Sequence, residues 1–271
     1  MAGPYFIKHI INKTFSQRFF WSRLSHIRGI GRLMEYALFE DDDIIYLPKD
    51  NTVPINQSLP QKEDLVVPSD VLIHFIKKAK YRWIMDFCIC RDSSDCKDYP
   101  INLGCMFLGE AAKDINPRFG RLVSEQEALD HVTRCREAGL VHLIGRNKLD
   151  TVWLNIKPGE KLLTICNCCP CCCLWKVLPV INPSISSKVN RMPGVSVRVT
   201  EKCVGCGTCT KDICFVDAIH LDGEKAVIGE DCRGCGRCVS VCKKGAIELR
   251  VDNQAFVDDA INRISGLVDV S

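Results

Sequence analysis

The sequence predicts an α+β protein with two parts, an N-terminal cysteine-rich α/β module and a C-terminal domain built by duplication. The pattern Cys-x2-Cys-x2-Cys occurs at residues 203–209 and again at residues 232–238, starting 29 residues later. Short segments that alternate apolar and polar residues flank both runs, as is typical of short strands. Upstream, apolar residues at helical spacing predict two helices among further cysteines.

Cysteine is the unusual residue, with 19 in 271. Disulfide frameworks belong to short secreted chains, and no secretory signal is visible, so we expect a cytoplasmic protein whose thiols bind metals or clusters. Adjacent cysteines also suit a shared centre better than separate bridges. The net charge of +3 gives no dominant basic face for nucleic acid. No uncharged apolar run has the roughly 18–20 residues that span a bilayer.

Residues 1–67 form a basic and apolar N-terminal segment with a linker. Residues 1–34 contain six Lys or Arg and no acid. The basic residues recur about every five positions, which gives a helix no clean polar face. We therefore favour docking to a partner or to the rest of the chain, with membrane-surface association and targeting as the alternatives. Residues 40–43 are predicted to be a solvated acidic loop, and Pro54, Pro60 and Pro68 indicate an extended connection.

Residues 68–178 form the cysteine-rich module, in which the first helix follows Ser69. The second helix begins after Ser124, where Glu127 completes a capping box, and ends at Gly139. Short strands are predicted at residues 141–144, 152–156 and 162–165. The solitary thiol Cys135 is expected to be buried and inert, and two histidines are expected to be structural: His131 and His142.

The module contains two groups of candidate ligands. The first group has four thiols within 18 residues, the ligand count of one cluster or one structural zinc site: Cys88, Cys90, Cys96 and Cys105. Arg91 and Lys97 are expected to offset the negative charge of such a centre. The second group has six thiols in eight residues: Cys166, Cys168, Cys169, Cys171, Cys172 and Cys173.

Six thiols cannot all bind one tetrahedral ion. Neighbouring side chains on an extended segment point to opposite sides, so the run could serve two centres, or one centre plus spare thiols. We favour iron–sulfur ligation for this run. A structural zinc site and a reactive redox loop remain alternatives.

A linker at residues 179–192 leads to the duplicated domain at residues 193–252. Strands are predicted at residues 195–200, 218–222, 225–228 and 246–251. Each cysteine run is followed by one more cysteine, Cys214 or Cys242. Eight thiolates in this pattern indicate iron–sulfur ligation.

The second run, Cys-x2-Cys-x2-Cys-x3-Cys, resembles the bacterial-type 2[4Fe-4S] ferredoxins. The first run departs from that family by one residue before its last cysteine, and Phe215 and Lys243 stand where the family has proline. The resemblance implies two [4Fe-4S] clusters that share ligands between the runs. One would take Cys203, Cys206, Cys209 and Cys242, and the other would take Cys232, Cys235, Cys238 and Cys214.

The C-terminal tail, residues 253–271, is predicted to be an amphipathic helix that packs on the body or on a partner. Four basic residues make the second lobe positive: Arg233, Arg237, Lys243 and Lys244. They indicate either a docking face for an acidic partner or charge compensation.

The whole chain resembles the multi-cluster ferredoxin-like proteins of anaerobic bacteria and archaea. No nucleotide-binding loop, nucleophile elbow or HExxH helix is visible, so an electron-transfer subunit is favoured over a catalytic one. We expect single electrons to pass through two ferredoxin clusters and one or two further clusters, to or from a protein redox partner. The alternatives are a reductase or low-potential activating factor with a substrate-facing cluster, and a zinc-containing assembly or interaction protein.

Overall fold

A computed structural model describes residues 4–50, 68–251 and 255–271. It contains both helices and sheets, which confirms the predicted α+β class. The prolines at positions 54 and 60, assigned to an extended connection, lie outside the described residues.

Helices and strands are interspersed along the chain. The helices are α1 (Ile7–Thr14), α2 (Arg18–Leu24), α3 (Arg28–Leu38), α4 (Asp70–Lys78), α5 (Ile89–Ser93), α6 (Glu125–Glu137), α7 (Lys148–Leu154), α8 (Pro183–Ser186), α9 (Arg237–Val241) and α10 (Phe256–Ser265). The strands are β1 (Asp43–Tyr46), β2 (Arg82–Met85), β3 (Met106–Leu108), β4 (Gly120–Leu122), β5 (Val141–Arg146), β6 (Leu163–Cys168), β7 (Val189–Arg191), β8 (Val195–Val199), β9 (Ile219–Asp222), β10 (Lys225–Ile228) and β11 (Ile247–Val251).

The N-terminal part is organised by a sheet in the order β4-β2-β3-β6-β5-β1-β7. Strand β6 lies at its middle and pairs antiparallel with β3 and with β5. Side chains alternate between the two faces of a strand, so Cys166 and Cys168 share one face and Asn167 lies on the other. The middle of the sheet thus presents two thiols on the same side.

The C-terminal part consists of two antiparallel ribbons, β8 with β11 and β9 with β10. Val195 and Leu249, from the first ribbon, lie in the same buried apolar cluster as Leu163 and Ile165 of β6. Helix α10 contributes further residues to that cluster: Phe256, Val257, Ala260 and Ile264. The duplicated domain and the sheet therefore share a core.

Most local predictions agree with the structure. Helix α6 has the complete capping box, and Gly139 beyond its end has a φ of +76°. The strand predicted at residues 152–156 is wrong, because α7 occupies most of that segment, ends at Leu154 and is followed by Asn155 in the left-handed region. Four apolar residues within this segment fit a buried helix end as well as a strand.

Two segments are more ordered than the sequence indicated. Asp43 begins β1, although residues 40–43 were expected to be a loop. Residues 179–192, predicted as a linker, contain α8 and β7, and β7 pairs parallel with β1 at the sheet edge.

The acid-free N-terminal segment forms α1, α2 and α3. None of the residues of α1 is buried, and only Gly31 is buried in α3. Large apolar side chains remain exposed, including Trp21 at 49% and Leu33 at 68%. Within the described residues, no helix combines the length and the apolar character needed to cross a bilayer.

Asp42 provides a pH-dependent contribution to stability. Its Oδ1 accepts a hydrogen bond from the Lys148 amide at 2.6 Å, and burial raises the pKa of its carboxyl to about 7. The folded state therefore binds more protons than the unfolded state between roughly pH 4 and 7, and the free energy of unfolding falls as the pH rises through that window. Asp42→Asn keeps the acceptor and should stabilise the protein at pH 8 by on the order of 2–4 kcal/mol.

Denaturant unfolding at pH 4 and pH 8 checks this prediction. The gain in Asp42→Asn should disappear at the lower pH, while the control Asp41→Asn, at an exposed neighbouring carboxylate, should change little at either. An equal gain at both pH values would contradict the assignment.

Candidate metal centres

The cysteines of the duplicated domain are brought together in two sets. Cys203, Cys206, Cys209 and Cys242 line one small cavity, and we call them the first set. Cys214, Cys232, Cys235 and Cys238 line another, and we call them the second set. Each set combines three thiols of one run with the last thiol of the other, because the β8–β11 pairing brings Cys242 beside the loop that follows β8.

In both halves of the duplicated domain, a backbone amide donates to the sulfur of the last cysteine of the run, from four residues further along the chain. Ala218 N donates to Cys214 Sγ and Ala246 N donates to Cys242 Sγ, both at 3.3 Å. Such donors favour a thiolate over a thiol and tune a bound cluster. Gly205 makes the tight loop of the first set possible: its φ is +64°, and a Cβ there would lie 2.5 Å from the Glu224 carbonyl oxygen.

The two sets differ in depth. Cys206 of the first set is exposed, and hydrogen bonds from Thr208 lower the pKa of its thiol. Burial raises the pKa of Cys235, in the second set, to about 12. The first set therefore faces solvent, and the second lies against the N-terminal part.

The upstream thiols also fall into two groups, and the first is compact. It consists of Cys96, Cys169, Cys171 and Cys172, whose Sγ atoms all lie within 4.8 Å of one another. We call it the compact group. Cys171 lies at its middle, 3.7 Å from Cys96, 3.5 Å from Cys169 and 3.5 Å from Cys172.

The second group, which we call the thiol ring, lines a cavity of about 460 Å³. Its members are Cys88, Cys90, Cys105, Cys166, Cys168 and Cys173, and Cys169 of the compact group also borders the cavity. Cys105 Sγ lies 3.9 Å from Cys166 Sγ, and Cys168 Sγ lies 3.1 Å from Cys173 Sγ. Cys88 and Cys90, at the start of α5, line the same cavity.

This grouping corrects the interpretation of Cys88, Cys90, Cys96 and Cys105 as one four-thiol site. Cys88 and Cys90 lie at the start of α5, and Cys105 directly precedes β3, beside β6. Cys96 lies in the intervening loop and contacts the compact group instead. The run 166–173 contributes thiols to both groups, and Cys169 borders both of them.

Arg91 is a fully buried guanidinium among these thiols. It donates to the carbonyl oxygen of Pro100 at 2.8 Å, to that of Asn167 at 2.7 Å, and to that of Leu103. Burial opposes its charge, but attraction to neighbouring thiolates, Cys88 foremost, outweighs burial and raises the pKa of Arg91. Arg91 thus supplies positive charge where the sequence predicted it.

Lys97, the other expected source of charge, behaves differently. It pairs with Asp95 at 2.7 Å on the surface, where its side chain is 77% exposed. It therefore contributes little to the field at the thiols.

The residues expected to be structural are buried and hydrogen bonded. His131 Nε2 lies 2.9 Å from the Gly104 carbonyl oxygen, and His142 Nδ1 lies 2.7 Å from Asn167 Oδ1. Cys135 is completely buried, and burial raises the pKa of its thiol to about 12. A neutral, inaccessible thiol of this kind is unreactive.

The wall of the large cavity contains residues that no motif indicated. Trp153 and Trp175 make it apolar, and Arg18 of α2 reaches it near Cys90 with its Nε hydrogen unpaired among the described residues. Asp150 is buried in the same wall, and desolvation raises the pKa of its carboxyl to about 7. These residues come from three separate segments, α2, α7 and the turn at Leu174–Val177, so their proximity has no signature in local sequence.

Comparison with known proteins identifies one region of the chain. A protein-family model described as the LdpA Fe-S cluster-binding domain matches residues 210–252. The match contains Cys214 and the whole second run, so the C-terminal part carries an iron–sulfur cluster-binding domain. No curated protein and no solved structure matches the chain.

Arg91→Met is expected to lower the free energy of unfolding by about 3–5 kcal/mol, because it leaves buried carbonyl groups and thiolates without their positive partner. Anaerobic denaturant unfolding measures this loss. Lys97→Met is the control and should change stability by less than about 1 kcal/mol. Losses of similar size in the two variants would contradict the role assigned to Arg91.

Proposed function

We propose that the chain is an electron-transfer protein with [4Fe-4S] clusters at the first and second sets and a further iron–sulfur centre at the thiol ring. Each cluster would exchange one electron at a time. The observation that carries the proposal is a single apolar core that contains thiols from both parts of the chain. Cys168 and Cys173 of the thiol ring lie in this core, and Cys214, Cys232 and Cys235 of the second set pack against it.

Tyr46 and Phe215 connect the two parts within this core. Tyr46 is completely buried, and its ring centroid lies 5.5 Å from that of Phe215. Burial raises the pKa of Tyr46, and the charges of Cys173, Cys168 and Cys235 add to that effect. One side chain therefore lies close to thiols of both centres, and it supports a short path for electrons between them.

The first set would form the surface end of the proposed path, and the second lobe is held against the N-terminal part. The first set lies at the surface, where Cys206 and Val204 are exposed, and suits exchange with a partner. Arg237 binds the Gly139 carbonyl oxygen and the Tyr99 hydroxyl and so holds the second lobe on the N-terminal part. Lys243 and Lys244 remain exposed near the first set, and we propose that they attract an acidic protein redox partner.

The number and type of donor atoms at each proposed site fit an iron–sulfur centre. Each C-terminal set offers four thiols around a cavity, together with backbone N–H donors, as a cysteine-bound cluster requires. The thiol ring offers six thiols beside the buried Arg91, which can balance the negative charge of a thiolate-bound centre.

A second candidate function is a reductase whose ring-bound centre faces a substrate. The thiol ring has two thiols more than the four that a common cluster takes, and its apolar cavity of about 460 Å³ is lined in part by residues of α2 and α3. Arg18 at this cavity could hold an anionic group. A spectrum of the reduced protein that changes when small molecules are added would favour this function.

Metal and sulfide analysis with EPR of the anaerobically reduced protein tests the primary proposal. We expect about twelve irons per chain, eight from the C-terminal sets and four or more from the ring. Cys105→Ser should remove only the ring contribution, and Cys206→Ser should perturb only the first set. About eight irons with zinc at the ring would contradict an electron path through the N-terminal part.

Tyr46→Leu is expected to slow electron transfer between the ring centre and the second set severalfold, because it removes the aromatic side chain between them. Internal electron transfer after rapid photoreduction provides the measurement, and iron content shows whether the centres remain. Tyr36→Leu, at a residue that is 64% exposed, is the matched control and should leave the rate unchanged. An unchanged rate in Tyr46→Leu with full iron content would rule out this path.

A further inference from the structure

The compact group differs from the C-terminal sets in the spacing of its sulfur atoms. All four of its Sγ atoms lie within 4.8 Å of one another, and three of the separations are 3.5, 3.5 and 3.7 Å. In the described part of the chain, no other group of three or more ligand-type side chains is this compact. The eight C-terminal thiols instead surround small cavities.

This spacing matches a single tetrahedral ion. Four thiolates at a Zn–S distance of about 2.3 Å lie roughly 3.8 Å apart at the corners of a tetrahedron. A four-iron cluster is a larger body whose thiolates bind at its outer corners, which separates their sulfur atoms further. The compact group leaves no room for that body between its thiols.

The donors and their surroundings also suit a single ion. All four ligand atoms are thiol sulfur, the soft donor that zinc accepts in closed structural sites. Leu103, Leu140 and Cys135 pack around the group and exclude water from one side. With four protein ligands, no position stays open for a substrate.

We infer that Cys96, Cys169, Cys171 and Cys172 bind one tetrahedral divalent ion of the zinc class in a closed structural site. The ion would clamp the loop that carries Cys96 onto the segment that leaves β6. That segment also delivers Cys173 to the thiol ring, so the ion would position a ring thiol without taking part in electron transfer. The inference does not depend on the proposed electron-transfer role.

The primary test uses wild-type protein purified anaerobically. Element analysis should find about one zinc per chain, and X-ray absorption at the zinc edge should show four sulfur ligands at about 2.3 Å. Zinc with nitrogen or oxygen ligands, or no zinc at all, would overturn the inference. Because this measurement needs no variant, it remains decisive even if a cysteine substitution prevents folding.

Variants then locate the ion. Cys171→Ser should lose the zinc while iron content and the EPR spectrum of the reduced clusters stay unchanged. The matched control Cys135→Ser alters a buried cysteine that neighbours the group and should keep both metals. A loss of about four irons in Cys171→Ser, with zinc unaffected, would identify a cluster site instead. The EPR spectrum reports the electron-transfer centres separately, so failure of either proposal is distinguishable from failure of the other.

Discussion

The burial of Arg91 is the constraint on which the N-terminal part depends. In the described residues no carboxylate pairs with this guanidinium, and its three hydrogen bonds all go to carbonyl oxygens. Its charge must therefore be balanced by neighbouring thiolates, and the guanidinium in turn favours the thiolate form of those cysteines. A metal bound by these thiolates would couple its binding to folding, since only the folded chain brings the thiols together around the buried cation. The three carbonyl groups come from the loop before Cys105 and from β6, so one side chain fixes both segments that carry the clustered cysteines.

The alternation of side chains on β6 explains how a run of six cysteines serves two groups. Cys166 and Cys168 face the cavity because they are two residues apart on a strand, and Asn167 turns to the other face to bind His142. The strand ends at Cys168, and the chain then turns at Pro170. The turn directs the following thiols toward Cys96, except Cys173, which returns to the ring.

Features that depend on local pattern were predictable from the sequence. The four C-terminal strands follow from a duplicated motif, and α6 follows from its capping box. The grouping of eight thiols into the first and second sets was implied by the resemblance to ferredoxins. The grouping of Cys96 was missed because it depends on the pairing of β3 with β6, which joins residues about 60 positions apart. Tyr46 could not be identified, since a single tyrosine in a short strand carries no motif. The helix α7 was mistaken for a strand because a brief apolar run does not distinguish the two.

Because the sheet and the C-terminal ribbons share one core, the C-terminal part cannot be cut out or exchanged as an independent domain. A small ferredoxin folds by itself, so a ferredoxin-like domain could be expected to be removed from one protein and fused to another. Here, excision of the C-terminal part would uncover Leu163 and Ile165 on one side and Val195 and Leu249 on the other. Exposing that apolar surface costs roughly 25 cal/mol for each Å². Substitutions on the two sides of this boundary must therefore compensate each other, and the two parts are expected to evolve as one unit.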